Sequence, residues 1–497
     1  MASIAQRATD KPAFGIGADW LAAIVLALAT FATRAIWFGD PVAEFDEQLY
    51  SFIGWRMTQG DLPYADLWDR KPFGLFLIFA FSHWLLGAEP FAYQALALLS
   101  ALSGAWLVYL LSLRLVDGAS ATVAGALYLM LLAAYGSYSG QAEVFHTPLM
   151  LLMFWLVLDW QRPDATRRAL IAMVVGGMAL QVKYTVLPQC AFFGAFALYG
   201  RWRMGTSVPG LALLAAAFAA AGVLPTALVA AWFTINGEFA AFWHANFVSF
   251  FNREPSEYGR LWPGHLTGVV PIATIVALGL YSALRLNPPR DRRLFTLYVG
   301  WGVAAFASVM MPATTYLYYY GALAAPAVLI ALPLIDRNSP GRWLPGAVLA
   351  ASLLWIVNPP ERYAHSRSEQ RTEARFSDAI EPFVGRDECL YVYDGPTALY
   401  RTTGACLPTR FVYPDHLNNA LERNALGISQ PAEIRRILAT SPHAIVTANF
   451  PVTIQCKKCA ALIDEAARTN YRPLVSASLH GRTITGWVRR DLSPAEN

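Results

Sequence analysis

The sequence predicts an all-α polytopic membrane protein of about eleven or more transmembrane helices, followed by a soluble α/β domain. Three observations lead there. Of the 497 residues, 56% are hydrophobic and only 14% charged. Apolar runs of roughly twenty residues, one bilayer crossing each, recur along most of the chain. From Pro359 onward the composition turns to that of a water-soluble segment. The net charge of +4 is small and the arginines are dispersed, which speaks against nucleic acid and for asymmetry across a membrane.

The N-terminal stretch MASIAQRATDKPAFGIGADW carries Arg7 and Lys11 and has no small-residue cleavage signal closing a short apolar core, so it reads as a cytoplasmic tail and not a removed signal peptide. Spans are expected at Leu21 to Phe38, Phe91 to Leu113, Ala119 to Ala134, Val144 to Trp160, Val208 to Phe233, Leu266 to Leu284, Leu294 to Met311, Tyr318 to Ile335 and Trp343 to Val357. Ala169 to Gly200 is too long for one crossing of about 20 residues and is read as two short helices.

Pro72 to Leu86 either spans or lies at the interface, and positive charge arbitrates. If it does not span, Arg114, Arg162, Arg167, Arg168, Arg201, Arg203, Arg290, Arg292, Arg293, Arg337 and Arg342 all fall on the side of the N-terminus. This predicts a multi-pass protein of the inner (plasma) membrane with a cytoplasmic N-terminus. Residues 1–358 form its transmembrane domain, with a first exterior loop over 39–71, and residues 359–497 form an exterior (periplasmic) domain.

In that last domain DECLYVYD and PHAIVTAN read as buried strands, PAEIRRILATS and AALIDEAART as amphipathic helices, and LVSASLHGRTITGWVRR as a hairpin about His480 and Gly481. Four of the five cysteines, Cys389, Cys406, Cys456 and Cys459, lie there. An oxidising exterior permits disulfides, and CKKC fits a local disulfide or free thiols better than a metal site, because no second CxxC or His pair completes one.

The first exterior loop contains EFDEQLY, three carboxylates in four residues beside an apolar run. Tyr50, Phe52, Ile53, Trp55 and Met57 are spaced for a helix lying along the interface, which would hold Asp46 and Glu47 at the water boundary. A carboxylate there either caps that helix or accepts a proton from an acceptor hydroxyl. The loop ends in DRKPFG, where Asp69, Arg70 and Lys71 meet the next apolar run; the two cations either snorkel to ordinary headgroups or neutralise a lipid phosphate. Arg34 near the exterior end of the first span, Lys183 at an exterior turn, and Glu143 and His146 in GQAEVFHTP would join them in one exterior pocket. Ionisable residues at such depth read as functional. The aromatic stretch Trp232 to Arg260 is a candidate lid in which Trp243 and His244 face the pocket, or form an aromatic belt. Tyr319 and Tyr320 either bind a ligand headgroup by hydroxyl or pack helices.

The exterior DE followed by a Tyr, the DRKP-type sequence before an apolar segment, the acid at the exterior end of a later span and the Lys at the next exterior turn resemble the GT-C glycosyltransferases. The closest likeness is to the aminoarabinose transferases of lipid A and the dolichyl-phosphate-mannose protein mannosyltransferase-like families. The resemblance covers roughly Leu21 to Ile335, and TYLYYYGALAAPAVLIALP is similar to the family's late aromatic helix. In two places the sequence departs from the pattern: Phe73 stands after Pro72 where a second proline is usual, and Glu143 stands where the second acid is commonly Asp.

The resemblance implies an inverting glycosyl transfer from a polyprenyl-phosphate sugar to a lipid A, polysaccharide, glycolipid or protein acceptor on the exterior face. Asp46 would be the base or acceptor-orienting residue with Glu143 as its partner. Arg34, Arg70, Lys71 and Lys183 would hold the donor phosphate, and Glu47, Tyr50, Asp69, His146, His244 and Tyr320 would contact substrate. No metal site is assigned, although Glu44-Phe45-Asp46 is a candidate chelate for a divalent ion. The alternative is a transporter or flippase of lipid-linked sugar, against which stands the lack of an inverted repeat or of paired broken helices.

Overall fold

The computed structural model describes residues 16–255, 262–312, 316–337, 343–357 and 359–493; Arg7, Lys11, Arg342 and the end of the Trp232 to Arg260 stretch lie outside them. Helices follow the apolar runs in order: α1 (Ile16–Arg34), α2 (Phe45–Met57), α3 (Phe73–Leu86), α4 (Pro90–Ser112), α5 (Gly118–Ala134), α6 (Ala142–Leu158), α7 (Ala165–Leu180), α8 (Leu187–Arg203) and α9 (Val208–Ile235), then Trp262–Tyr281, Arg292–Met310 and Trp343–Val357. Among the described residues five helices are long and apolar enough to cross a membrane, at Asp19–Trp37, Pro90–Ser112, Val208–Ile235, Gly268–Leu286 and Arg292–Met310; the other apolar helices are shorter.

The surroundings of the bundle can be read from α9. Of its 28 residues only Phe218 and Phe233 are buried, while Val208, Leu213, Leu228 and Ile235 point outward. An apolar face of that length is stable against lipid and not against water. Inside the bundle, backbone groups are satisfied locally. The side chains of Asp117 and Ser207 cap α5 and α9. Pro148 within α6 has no N–H to give to the carbonyl of Val144, and Ser100 Oγ supplies that bond at 2.9 Å.

The single span expected over Tyr318 to Ile335 is instead a 3-10 turn (Leu317–Leu323) followed by two short helices, Ala324–Ile330 and Leu332–Ile335. Pro326 and Pro333 each suit only the first turn of a helix, so each starts a new one. Residues 320–336 are buried throughout, so the segment still crosses the bundle, from Tyr318 at Asp46 to Arg337 at Asp117, but inside the protein core and not facing lipid.

The doubtful segment α3 is 14 residues long, about 21 Å, too short for a hydrocarbon core of about 30 Å. Near its N-terminus Leu75 N donates to Gln181 O at 3.0 Å, beyond the end of α7. At its C-terminal end Arg401, from the C-terminal portion, donates to Ala88 O. Both ends therefore lie at the face that carries the C-terminal portion. At the far end of the bundle Arg114 pairs with Asp159 at 3.1 Å, Arg337 with Asp117 at 2.6 Å, and Arg168 donates to the last carbonyls of α6.

A polar helix, Pro359–Ile380, leads into a four-stranded sheet of order β1-β2-β4-β3, with β1 (Leu390–Val392) parallel to β2 (Ala444–Ala448) and the hairpin β3 (Tyr471–Leu479), β4 (Arg482–Arg489) antiparallel. His480 and Gly481, both with positive φ, make the two-residue turn that the strand twist favours. The helices Gln430–Ala439 and Lys457–Asn470 fall on the amphipathic stretches. Cys389 is bonded to Cys406, and Cys456 to Cys459. The core of this portion contains one residue from far upstream, Trp68, which packs on Phe411 and His416.

Candidate active site

Between the helix bundle and the C-terminal portion lies a cavity of about 550 Å³. The first loop supplies one wall. Asp46 sits in the first turn of α2, and the strand-like approach to α3 brings Lys71 beside it. Tyr64, held at φ 72° by the bend at Pro63–Leu67, donates its hydroxyl to Lys71 O at 2.8 Å. Asp69 accepts from Lys71 N at 2.8 Å and meets His416 Nε2 at 3.1 Å, which ties the DRK sequence to the C-terminal portion.

Asp46 is the hub. Its Oδ2 accepts from Lys71 Nζ (3.2 Å), Tyr50 (3.0 Å) and Tyr318 (2.9 Å), and its Oδ1 accepts from Tyr413 (3.0 Å). Burial pushes its pKa up, but the Lys71 charge and the Tyr318, Lys71 and Tyr413 hydrogen bonds outweigh burial and hold the carboxyl down at about 2. Four donors, one of them an ammonium, fill the carboxylate. This arrangement does not fit a divalent ion chelated by Glu44 and Asp46.

Glu143, in the first turn of α6, also lines the cavity and forms an ion pair with Lys183, whose Nζ lies 3.7 Å from the ring centroid of Tyr319 and 5.7 Å from that of Tyr318. Glu143 is fully buried, and its Oε2 has no hydrogen-bond partner among the described residues. Gly321 makes room for it: a Cβ there would stand 3.4 Å from Glu143 Cγ and 3.0 Å from Ser137 Oγ. A third group joins Arg70 and Arg253 to one carboxylate, Glu422. Arg70 grips it with both terminal nitrogens, and Arg253 Nε donates at 2.8 Å. Burial raises the Glu422 pKa, but the two arginines overcome it and hold the carboxyl at about 2.

Of the residues singled out in the sequence, Asp46, Tyr50, Asp69, Arg70, Lys71, Glu143 and Lys183 line this cavity, and Arg34, Glu47, His146, His244 and Tyr320 do not. Arg34 is buried with its guanidinium on the carbonyls of Ser137 (2.8 Å) and Ser139 (3.1 Å), so it shapes the α5–α6 loop and is not presented to a phosphate. Glu47 accepts from Gly140 N (2.5 Å), Ser139 Oγ (3.1 Å) and Tyr93 (3.2 Å), clamping the same loop from the other side; burial pushes its pKa up to about 8. His146 is enclosed in the bundle. His244 rests against Gly427 at the edge of the C-terminal portion, and Tyr320 packs on Tyr135.

Sequence reasoning passed over Tyr318, Tyr413, Arg253 and Glu422. The tyrosine run around Tyr318 was a visible signal. Tyr413 and Glu422 carry no local one, because only the closure of a segment some 370 residues downstream places them beside Asp46 and Arg70.

Residues 70–247 match the family model for dolichyl-phosphate-mannose-protein mannosyltransferase. Among solved structures, ArnT from Cupriavidus metallidurans bound to undecaprenyl phosphate aligns with a TM-score of 0.60 and 17% identity, over 95% of this chain and 98% of that one. The Archaeoglobus fulgidus oligosaccharyltransferase in complex with zinc and sulfate aligns with a TM-score of 0.49 and 11% identity, over 86% and 68%. No curated protein sequence matches. The chain thus shares the fold of ArnT, and its residues 70–247 match the mannosyltransferase family model.

Proposed function

We propose that this protein is an inverting glycosyltransferase that moves a monosaccharide from a polyprenyl-phosphate donor to an acceptor hydroxyl on the exterior face of a plasma (inner) membrane. The observation that carries the reading is the pairing of two acids with two lysines, the half-buried Asp46 with Lys71 and the buried Glu143 with Lys183, in the lining of one cavity with Tyr318 between them. ArnT, whose fold this chain shares, is a protein solved with undecaprenyl phosphate.

The chemistry follows from the charges. A leaving polyprenyl phosphate held by Lys71, Lys183 and Arg70 needs no general acid, because fixed cations stabilise the charge that develops as the anomeric C–O bond breaks. In the arrangement described, Asp46 is too weak a base, at about 2. Once a phosphate draws Lys71 away, burial shifts Asp46 upward against only the Tyr318 and Tyr413 hydrogen bonds, towards a base better able to take the proton of the attacking hydroxyl. Donor binding and base activation are then one event. Glu143, with an oxygen that has no hydrogen-bond partner among the described residues, orients the acceptor or the sugar.

This reading divides the chain into a membrane domain, 1–358, of about eleven spans with the N-terminus in the cytoplasm, and an exterior domain, 359–497. The arginine pairs at the end of the bundle away from the cavity support that orientation, and the 239–255 segment serves as a lid through Phe250 and Phe251. The test is accumulation. A strain lacking the protein should build up a polyprenyl-phosphate sugar detectable by mass spectrometry, and purified protein should discharge it; an unchanged lipid pool together with no discharge would sink the assignment.

A further inference from the structure

Lys71 and Lys183 are paired with the acids of the proposed reaction, but Arg70 and Arg253 are paired with a carboxylate that has no place in it. Glu422 comes from a 3-10 turn, Ala420–Glu422, of the C-terminal portion, and its side chain is only 1% exposed. Two guanidinium groups, from the first loop and from the 239–255 segment, converge on it with three hydrogen bonds. That cluster carries a net positive charge, and the forks that grip a carboxylate grip a phosphate equally well.

We propose that Glu422 is an internal surrogate for the donor's phosphate: it fills the Arg70–Arg253 seat in the empty protein and is displaced when a polyprenyl phosphate group arrives. This deepens the donor reading above and rests on it. A phosphate offers more oxygens and at least as much charge as a carboxylate, so it can win both arginines when the lipid is present. The turn bearing Glu422 is tied down by Ala420 N to Ile454 O (2.7 Å) and by Glu254 N to Leu421 O (3.0 Å). Val452 and Thr453, just before Ile454, line the cavity. Displacing Glu422 therefore loosens the part of the C-terminal portion that covers the cavity, and admits acceptor only after donor is bound.

The test measures binding of polyprenyl phosphate to the full chain in detergent for the wild type, Glu422→Gln, Arg423→Ala and Lys71→Ala. Removing the competitor should tighten binding about tenfold, the gain expected where the competent state is roughly a tenth populated. Arg423→Ala cuts the neighbouring Arg423–Glu254 pair (2.6 Å) between the same two segments and should leave affinity unchanged. Equal or weaker binding by Glu422→Gln, or equal tightening by Arg423→Ala, overturns the surrogate role. Lys71→Ala separates the two ideas: if it weakens binding while Glu422→Gln changes nothing, the donor reading stands and the surrogate falls, and if it changes nothing the donor reading loses that lysine. Should the glutamine variant not fold, hydrogen exchange on the wild type serves instead. Adding polyprenyl phosphate should speed exchange at the amides of Ala420 and Glu254, and slowed or unchanged exchange overturns the proposal.

Discussion

Lys71 Nζ stands 3.2 Å from Asp46 Oδ2 and 4.9 Å from the ring centroid of Tyr50. Carboxylate, ammonium and phenol form one unit, in which the acid is held ionised and quiet by the cation that a phosphate would claim. Predictions about either residue are consequently predictions about both.

Asp46→Asn should abolish nearly all transfer, by about 10² to 10⁴ in rate, while the protein folds and still binds polyprenyl phosphate. The amide keeps the size and one acceptor oxygen, its NH2 donates to whichever of the Tyr318 and Tyr413 hydroxyls then turns to accept, and it takes no proton. Turnover of the purified variant at the wild-type rate would remove Asp46 from the mechanism.

Lys71→Ala and Lys183→Ala should each weaken binding of polyprenyl phosphate about tenfold to a hundredfold, since one charge-assisted hydrogen bond contributes roughly 1.5 to 3 kcal/mol. A non-phosphorylated polyprenol should bind all three proteins alike. If phosphate and alcohol respond equally, these lysines serve the membrane surface and not the donor.

Two buried glutamates predict opposite responses to pH. Glu47 is shifted from 4.5 up to about 8, so its contribution to stability is full below pH 4.5 and is lost as pH rises to about 8. Glu422 is shifted from 4.5 down to about 2, so its contribution is present above pH 4.5 and is lost as pH falls towards 2. Thermal unfolding in detergent should show a midpoint that declines between pH 5 and 8 in the wild type and declines less in Glu47→Gln. Identical slopes in that window would mean that Glu47 is ionised in the folded protein.

Single cysteines placed at Arg168 and Lys183 should label from opposite sides of the membrane, the first only after permeabilisation. Arg168 binds the carbonyls of Trp155 and Leu156 at the far end of α6, whereas Lys183 pairs with Glu143 at its start. Labelling of both from one side would overturn the span assignment.

Most of the fold was legible because its causes are local. Apolar runs, the amphipathic stretches at Gln430–Ala439 and Lys457–Asn470 and the His480–Gly481 turn each act within a few residues. The Tyr318 to Ile335 stretch misled, since an apolar run reads the same whether lipid or protein surrounds it. In the candidate site the first-loop residues Asp46, Arg70 and Lys71 could be found from their clustering. Arg34 has the same chemistry and a similar depth, yet it is turned to Ser137 and Ser139 by loop carbonyls that no local pattern encodes. Glu422 and Tyr413 were beyond reach for the converse reason, as they gain meaning only through contacts across some 350 residues of chain.

Trp68 has a consequence for how the protein is made. Its indole completes a core with Phe411, Leu417 and Ile463, and its backbone N–H donates to Arg410 O at 2.9 Å. A ribosome adding about 5 to 20 residues per second reaches those partners tens of seconds after Trp68 has emerged. For that interval the loop that carries Asp46 and Lys71 is without its final support, and any chain cut short before residue 411 leaves it so permanently. Biogenesis therefore leaves the Asp46–Lys71 loop without its final contacts until translation is nearly finished, and in a truncated copy the cavity between the bundle and the C-terminal portion never closes.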